Sequence, residues 1–165
     1  MAVNLDASRA LRDAFGAFPT GVAIVTTLDG NGAPVGVTVN SFASLSLQPP
    51  LVNWSLNARS PSRPAFERAR VFAVNVLAHE QVELSRRFGT SVPDKFKGVA
   101  MRAGLEGVPV LEGVTASFEC RVVACHPGGD HILFIGAVER FAHDAARPPL
   151  VFHAGAYRAV GDFLG

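Results

Sequence analysis

Two short runs of this chain carry the residues best suited to chemistry. The first extends from Gly36 to Val52 and reads GVTVNSFASLSLQPPLV. Its Thr38, Asn40, Ser41, Ser44 and Ser46 offer many hydrogen-bonding groups with little bulk. That composition suits a flat, polar-edged ligand lying against a strand. The second run is Gly128-Gly129-Asp130-His131. Two glycines let the backbone bend sharply, which sets the His131 imidazole at the mouth of the strand that follows. Histidine titrates near neutral pH and can donate to a carboxamide or to a developing charge. The plainer fate of this ring is a pairing with Asp130 inside a turn.

A second polar group comprises Ser55, Asn57, Arg59, Ser60, Ser62 and Arg63. Ser60 reads as the cap of a short helix running through Ala69, with Pro61 at its first position. Such a helix start, with arginines beside it, attracts an anion; the alternative is a capped surface helix with solvated arginines. Phe88 and Tyr157 are aromatic candidates for a pocket wall, and core packing is an equal expectation for Phe88. Trp54 reads as a buried sheet aromatic. His79, His126, His143 and His153 have no metal-ligand spacing, and HExxH, GxSxG and Cys–His nucleophile patterns are missing. Metal and covalent catalysis are therefore not expected.

The elements that must position these residues are mostly strands. The pattern predicts strands over Val22–Leu28, Val35–Asn40, Leu51–Leu56, Val71–Leu77, Thr115–Cys125, Ile132–Phe141 and Leu150–Phe152, with Tyr157–Val160 closing the chain. Asp29-Gly30-Asn31-Gly32 is a hairpin turn, and Gln48-Pro49-Pro50 is a break. An amphipathic helix is expected over Asp6–Phe18, capped by Asp6 or Ser8, with Leu11, Ala14, Phe15 and Phe18 at helical spacing. A second helix is expected over His79–Phe88. The stretch Gly89–Glu112 reads as irregular, with a short helix over Pro93–Phe96. Strands without regular helix alternation point to a closed or half-open antiparallel barrel with peripheral helices, not a doubly wound sheet. No GxGxxG follows a strand, so a nicotinamide would not be held by a Rossmann fingerprint.

Composition sets further bounds. The 165 residues fit one domain spanning 1–165. Hydrophobic residues make up 48%, charged residues 18%, and mean hydropathy is +0.26. That apolar excess points to burial in a subunit interface. A net charge of +1 gives no pull toward nucleic acid or an anionic membrane. No apolar run approaches the ~20 residues of a transmembrane helix, and the start MAVNLDASRALRDAF lacks a secretory pattern, so a cytoplasmic protein is expected. Cys120 and Cys125 sit on one predicted strand, on opposite faces, and are expected as buried thiols instead of a disulfide.

From Phe18 to Tyr157 the chain resembles the flavin reductase family. The ordered segments are FPTGVAIVTT, the DGNG hairpin, GVTVNSFASLSLQPPLV, NARSPS, FAVNVLAHEQVELSRRF, DKFKGV, GVPVLEG, ASFECRVV, GGDHILFIGAVE and PLVFHAGAY. The resemblance implies a mainly β fold, the FMN-binding split β-barrel, antiparallel and Greek-key-like with short peripheral helices. It implies a homodimer with flavin near the subunit interface. The implied activity is hydride transfer from NADH or NADPH to FMN or FAD, with the reduced flavin passing to a separate oxygenase. By the same resemblance, Val39, Asn40 and Ser41 meet the polar edge of the ring, with Ser44 and Ser46 following in the same cofactor segment. Thr38 meets the ribityl chain or ring. Ser55, Asn57, Arg59, Ser60, Ser62 and Arg63 belong to the region that meets the flavin phosphate, and His131 lies near nicotinamide and flavin. Trp54 departs from the smaller residue usual in the family. Two other readings stay open: a flavoprotein with tightly held FMN acting on a specific small molecule, and a non-catalytic flavin-binding module. The GGDH run argues against the second.

Overall fold

The computed structural model describes residues 5–162. Its main sheet has seven strands: β2 (Ala23–Leu28), β3 (Pro34–Val39), β4 (Ala43–Leu47), β5 (Pro50–Asn57), β6 (Val71–Val76), β9 (Ala116–Gly128) and β10 (His131–His143). They run in the order β3-β2-β6-β9-β10-β5-β4, and every pair is antiparallel. The sheet curls until the end of β3 meets β5, giving the half-open barrel expected from the pattern. A three-stranded sheet joins β1 (Thr20–Gly21), β11 (Leu150–His153) and β12 (Ala156–Ala159). Helices α1 (Leu5–Gly16), α2 (Arg63–Arg68) and α3 (Val82–Gly89) lie outside.

Side-chain alternation divides the core. On β2, Ala23 and Val25 point into the barrel with Trp54, Phe72, Val74 and Phe134. Ile24 points outward, to Leu77, Phe88, Leu111 and Leu150 beneath α3 and the small sheet. Strands sandwiched in this way read as continuous apolar runs, because both faces are buried. Trp54 is fully buried, stacked on Phe134 at 4.5 Å and edge-on to Phe66 and Phe72. This is the core position expected for a buried sheet aromatic.

The β2–β3 hairpin forms as predicted. The Asp29 Oδ1 accepts the N–H groups of Asn31 and Ala33, both at 2.8 Å, and Gly32 takes φ +79°. Elsewhere the structure corrects the sequence reading. The helix α1 begins at Leu5, so Ser8 stands inside it and caps nothing, while the Asp6 side chain lies outside the described residues. Its apolar positions Leu11 and Phe15, and Phe18 just beyond, are exposed. At α2 the N-cap position is Ser62, not Ser60, with no side-chain cap bond, and Pro64 stands in the first turn. Residues 93–98 form turns instead of a helix.

The stretch read as irregular contains a small hairpin of β7 (Met101–Ala103) and β8 (Pro109–Leu111). Three-residue strands are too short to show a period, so nothing local announces them. Buried Glu119 on β9 holds this hairpin, accepting from the Leu105 N–H at 2.6 Å and from Arg102 at 2.8 Å. The two cysteines are free, but Cys125 is exposed. They do not stand on opposite faces. A bulge between Ala124 and Val122 resets the alternation, so Cys120 pairs with Val138 and Cys125 with Phe134 on β10.

Candidate active site

Strand β3 is an outer strand, so among the described residues one side of its backbone has no strand partner. The Asp29 N–H donates to the Ala33 carbonyl at 2.8 Å. Counting from that bond along the register, Thr26/Gly36 and Ile24/Thr38 fall at non-hydrogen-bonded positions. The backbone N–H and C=O of Gly36 and Thr38 therefore point away from β2. Strand β5 alternates in the same way: Val52, Trp54 and Leu56 enter the barrel, and Ser55 and Asn57 do not. Across the register, His131 opposes Asn57 and shares its face.

These rules converge on a cleft of about 220 Å³ lined by Thr38, Val39, Asn40, Ser41, Ser55, Asn57, Ser60 and His131, with Val37 and Leu56 supplying apolar surface. The Ser41 hydroxyl accepts the Ser55 N–H and donates to the Ser55 C=O, both at 2.9 Å. Asn57 Oδ1 accepts the Arg59 N–H at 2.9 Å, and Ser60 Oγ accepts the Ser62 N–H at 3.3 Å. These are local turn bonds that shape the loop before α2. The two-residue turn Gly129-Asp130 joins β9 to β10, and its Asp130 carbonyl accepts the Ala58 N–H at 2.9 Å. His131 Nδ1 lies 2.7 Å from Asp130 Oδ1. Pairing in the turn and presence in the cleft thus hold together. The hydrogen bond from His131, then its charge, keeps the Asp130 carboxyl below its usual range.

A second cleft, also about 220 Å³, lies on the other side of Thr38–Asn40 and is walled by Val22, Ser85, Phe152 and Tyr157. Tyr157 Oη is 2.9 Å from Ser85 Oγ, and the Thr38 hydroxyl donates to the Ser85 carbonyl at 2.7 Å. Arg86 stands 5.7 Å from the centre of the Tyr157 ring. Further along the β3 edge runs a broader groove of about 650 Å³ past Pro34–Gly36, Ser62 and Lys95. Lys95 Nζ donates to the Phe88 carbonyl at 3.0 Å and to the Gly36 carbonyl at 3.4 Å, and burial pushes its pKa down.

Most of the residues singled out from sequence therefore meet, but not all. Ser44 and Ser46 lie on the edge strand β4, paired with Val52 and Leu51, outside the cleft. Ser62 lines the broader groove, and the Arg59 side chain is outside the cleft lining. Phe88 is no pocket wall: it is wholly buried beneath Gly36 and against Phe96. Ser85 and Lys95 were not singled out by sequence. Ser85 shows no signal, because its importance comes from a contact 72 positions away. Lys95 sits in the DKFKGV segment, but nothing local tells its ammonium from a solvated one.

Residues 15–161 match the family model described as "Flavin reductase like domain". The chain belongs to this flavin reductase like family. "FMN reductase (NADH) SmoA" of Agrobacterium fabrum is 48% identical over 150 residues, covering 91% of this chain and 84% of the relative. "Flavin-dependent monooxygenase, reductase subunit HsaB" of Rhodococcus jostii is 42% identical over 152 residues, covering 92% of this chain and 77% of the relative. The structure of the Streptomyces globisporus C-1027 NADH:FAD oxidoreductase SgcE6 with NAD and FAD fragments matches with TM-score 0.91 at 34% identity, over 100% of this chain and 99% of that one.

The cleft of this family member fits a flavin. An isoalloxazine has a polar pyrimidine edge where reduction builds negative charge, and outward backbone amides with small hydroxyl and amide side chains answer that edge. The outward-pointing Thr38 backbone, beside Asn40 and Ser55, is such a set, and Val37, Val39 and Leu56 give the ring apolar contact.

Proposed function

We propose that this chain, as one unit over residues 1–165, is an NAD(P)H-dependent flavin reductase that supplies reduced flavin to a separate monooxygenase. The observation that carries the reading is the convergence of the Thr38–Ser41 edge, Ser55, Asn57, Ser60 and His131 on one cleft. The names of the relatives support NADH as reductant and FMN or FAD as acceptor, and the reductase-subunit relative supports an oxygenase partner.

The bound flavin supplies a two-electron acceptor for the nicotinamide hydride. The protein supplies alignment, which for two bound reactants removes much of the barrier. Thr38, Val39, Asn40 and Ser41 orient the polar edge of the ring. Ser55, Asn57 and Ser60 hold the side of the cleft toward α2, and Tyr157 walls the second cleft that shares Thr38–Asn40. His131 positions the nicotinamide. No side chain need form a covalent bond.

The working form is a homodimer in the cytoplasm. Phe15, Phe18 and Leu47 are 70%, 75% and 89% exposed, and a subunit interface over them would take that apolar surface out of water. Two unbridged thiols suit a reducing compartment, and among the described residues no helix is long and apolar enough to cross a membrane.

The test is oxidation of NADH and NADPH by purified protein with added FMN or FAD. Turnover that saturates with free flavin supports the reading. Bound flavin without such turnover overturns it in favour of a substrate-specific flavoprotein. Light scattering at micromolar concentration checks the dimer, and a clean monomer removes it.

A further inference from the structure

His131 stands between two clefts. One is the cleft of Thr38, Ser55 and Asn57; the other, of about 240 Å³, is walled by Arg63, Glu67 and Cys125. The ring is 42% exposed by side chain and close to the open hairpin, so packing alone does not fix it. What fixes it is Asp130. Its Oδ1 is 2.7 Å from Nδ1, the short distance of a charge-assisted bond. The Asp130 backbone is held, since its carbonyl accepts the Ala58 N–H at 2.9 Å, while its carboxylate is 86% exposed with His131 as its partner. Arg63 and Glu67, on the other side, pair with each other at 3.0 Å, and, after His131, the Arg59 charge helps hold the Asp130 carboxyl ionised.

A carboxylate only accepts, so a neutral His131 bonded to it must carry its proton on Nδ1. Nε2 is then the nitrogen left for a ligand, and it is an acceptor. We infer that Asp130 is a positioning residue that holds neutral His131 in the Nδ1–H tautomer, so that Nε2 accepts an N–H from the carboxamide of the bound nicotinamide. Protonation of the ring turns that acceptor into a donor and removes the match. This inference rests on the proposed role of His131 in positioning nicotinamide.

The test uses full-length protein labelled with ¹⁵N-histidine. Two-bond ¹H–¹⁵N spectra read the tautomer, with His131→Ala identifying the His131 signals. In the neutral form His131 should show the Nδ1–H pattern. Asp130→Ala should turn it into a mixture with Nε2–H and raise the nicotinamide KM about fivefold, the size of one ordinary hydrogen bond, with kcat falling less. Asp130→Asn can turn its amide N–H toward Nδ1, which a carboxylate cannot do, so it should shift the ring toward Nε2–H and leave KM raised. A wild-type Nε2–H ring overturns the inference. So does an Asp130→Ala variant with unchanged tautomer and KM, where His131→Ala still raises KM; in that case the nicotinamide role of His131 survives. Unchanged KM in His131→Ala removes that role, and the inference with it.

Discussion

The hydroxyl of Ser41 bonds both backbone groups of Ser55, closing the barrel where β3 and β5 have no ladder between them. One small side chain thus ties the chain beyond β3 to β5 in the wall of the cleft. Ser41→Ala leaves the outward N–H and C=O of Ser55 without their partner. The expected loss is about 1–3 kcal/mol of stability, the cost of stranding partly buried polar groups, together with weaker flavin binding. Denaturant midpoints and flavin fluorescence titration check the two effects; an unchanged flavin affinity would separate Ser41 from the site.

Gly36 is needed for space. A Cβ there would sit 2.6 Å from the Phe88 ring and 3.0 Å from Phe96. Phe88 is wholly buried and cannot swing away. Gly36→Ala should therefore destabilise by about 1–3 kcal/mol through overpacking. It should also push the β3 edge outward and raise the flavin KM. Thermal melts and steady-state kinetics measure both, and wild-type values in each would refute the packing account.

The thiols should differ in reactivity. Cys120 is buried, and burial, then Glu119 and Glu139, push its thiol up to about 12. Cys125 is exposed, with its thiol raised by partial burial and Glu67. The thiolate is the reactive form. Native protein should label at Cys125 alone, faster as pH rises, and Cys120 should label only after denaturation. Two fast-reacting thiols in native protein would contradict the burial of Cys120.

Lys95 makes stability depend on alkaline pH. Burial lowers its pKa from the ordinary lysine value of 10.5. Between the lowered value and 10.5 the unfolded chain binds more protons at this site than the folded one, so the Lys95 contribution to stability rises with pH there. At neutral pH the full cost of burying the ammonium is present. Lys95→Met should therefore flatten the rise in unfolding free energy toward pH 10. Parallel curves for variant and wild type would show that the amine is effectively solvated.

The antiparallel barrel, the Asp29–Gly32 turn and the positions of the long strands along the chain were legible in the residues, because alternation and turn chemistry are local. The same locality made Thr38–Ser41, Ser55–Ser60 and His131 visible as candidates: small polar residues ending apolar strands are conspicuous in one dimension. Tertiary structure alone decided which of them meet. Ser44 and Ser46 have the same composition as Ser41 but fall on an outer strand, and register places them outside the cleft. Phe88 carries a helical spacing that suits a wall or a core equally, and the missing side chain of Gly36 draws it into the core. Short strands such as β7 and β8 show no period, and their place is set by the buried carboxylate of Glu119. Ser85 and Lys95 gain their roles from partners distant in sequence, Tyr157 and Gly36, and such contacts exist only once the chain has folded.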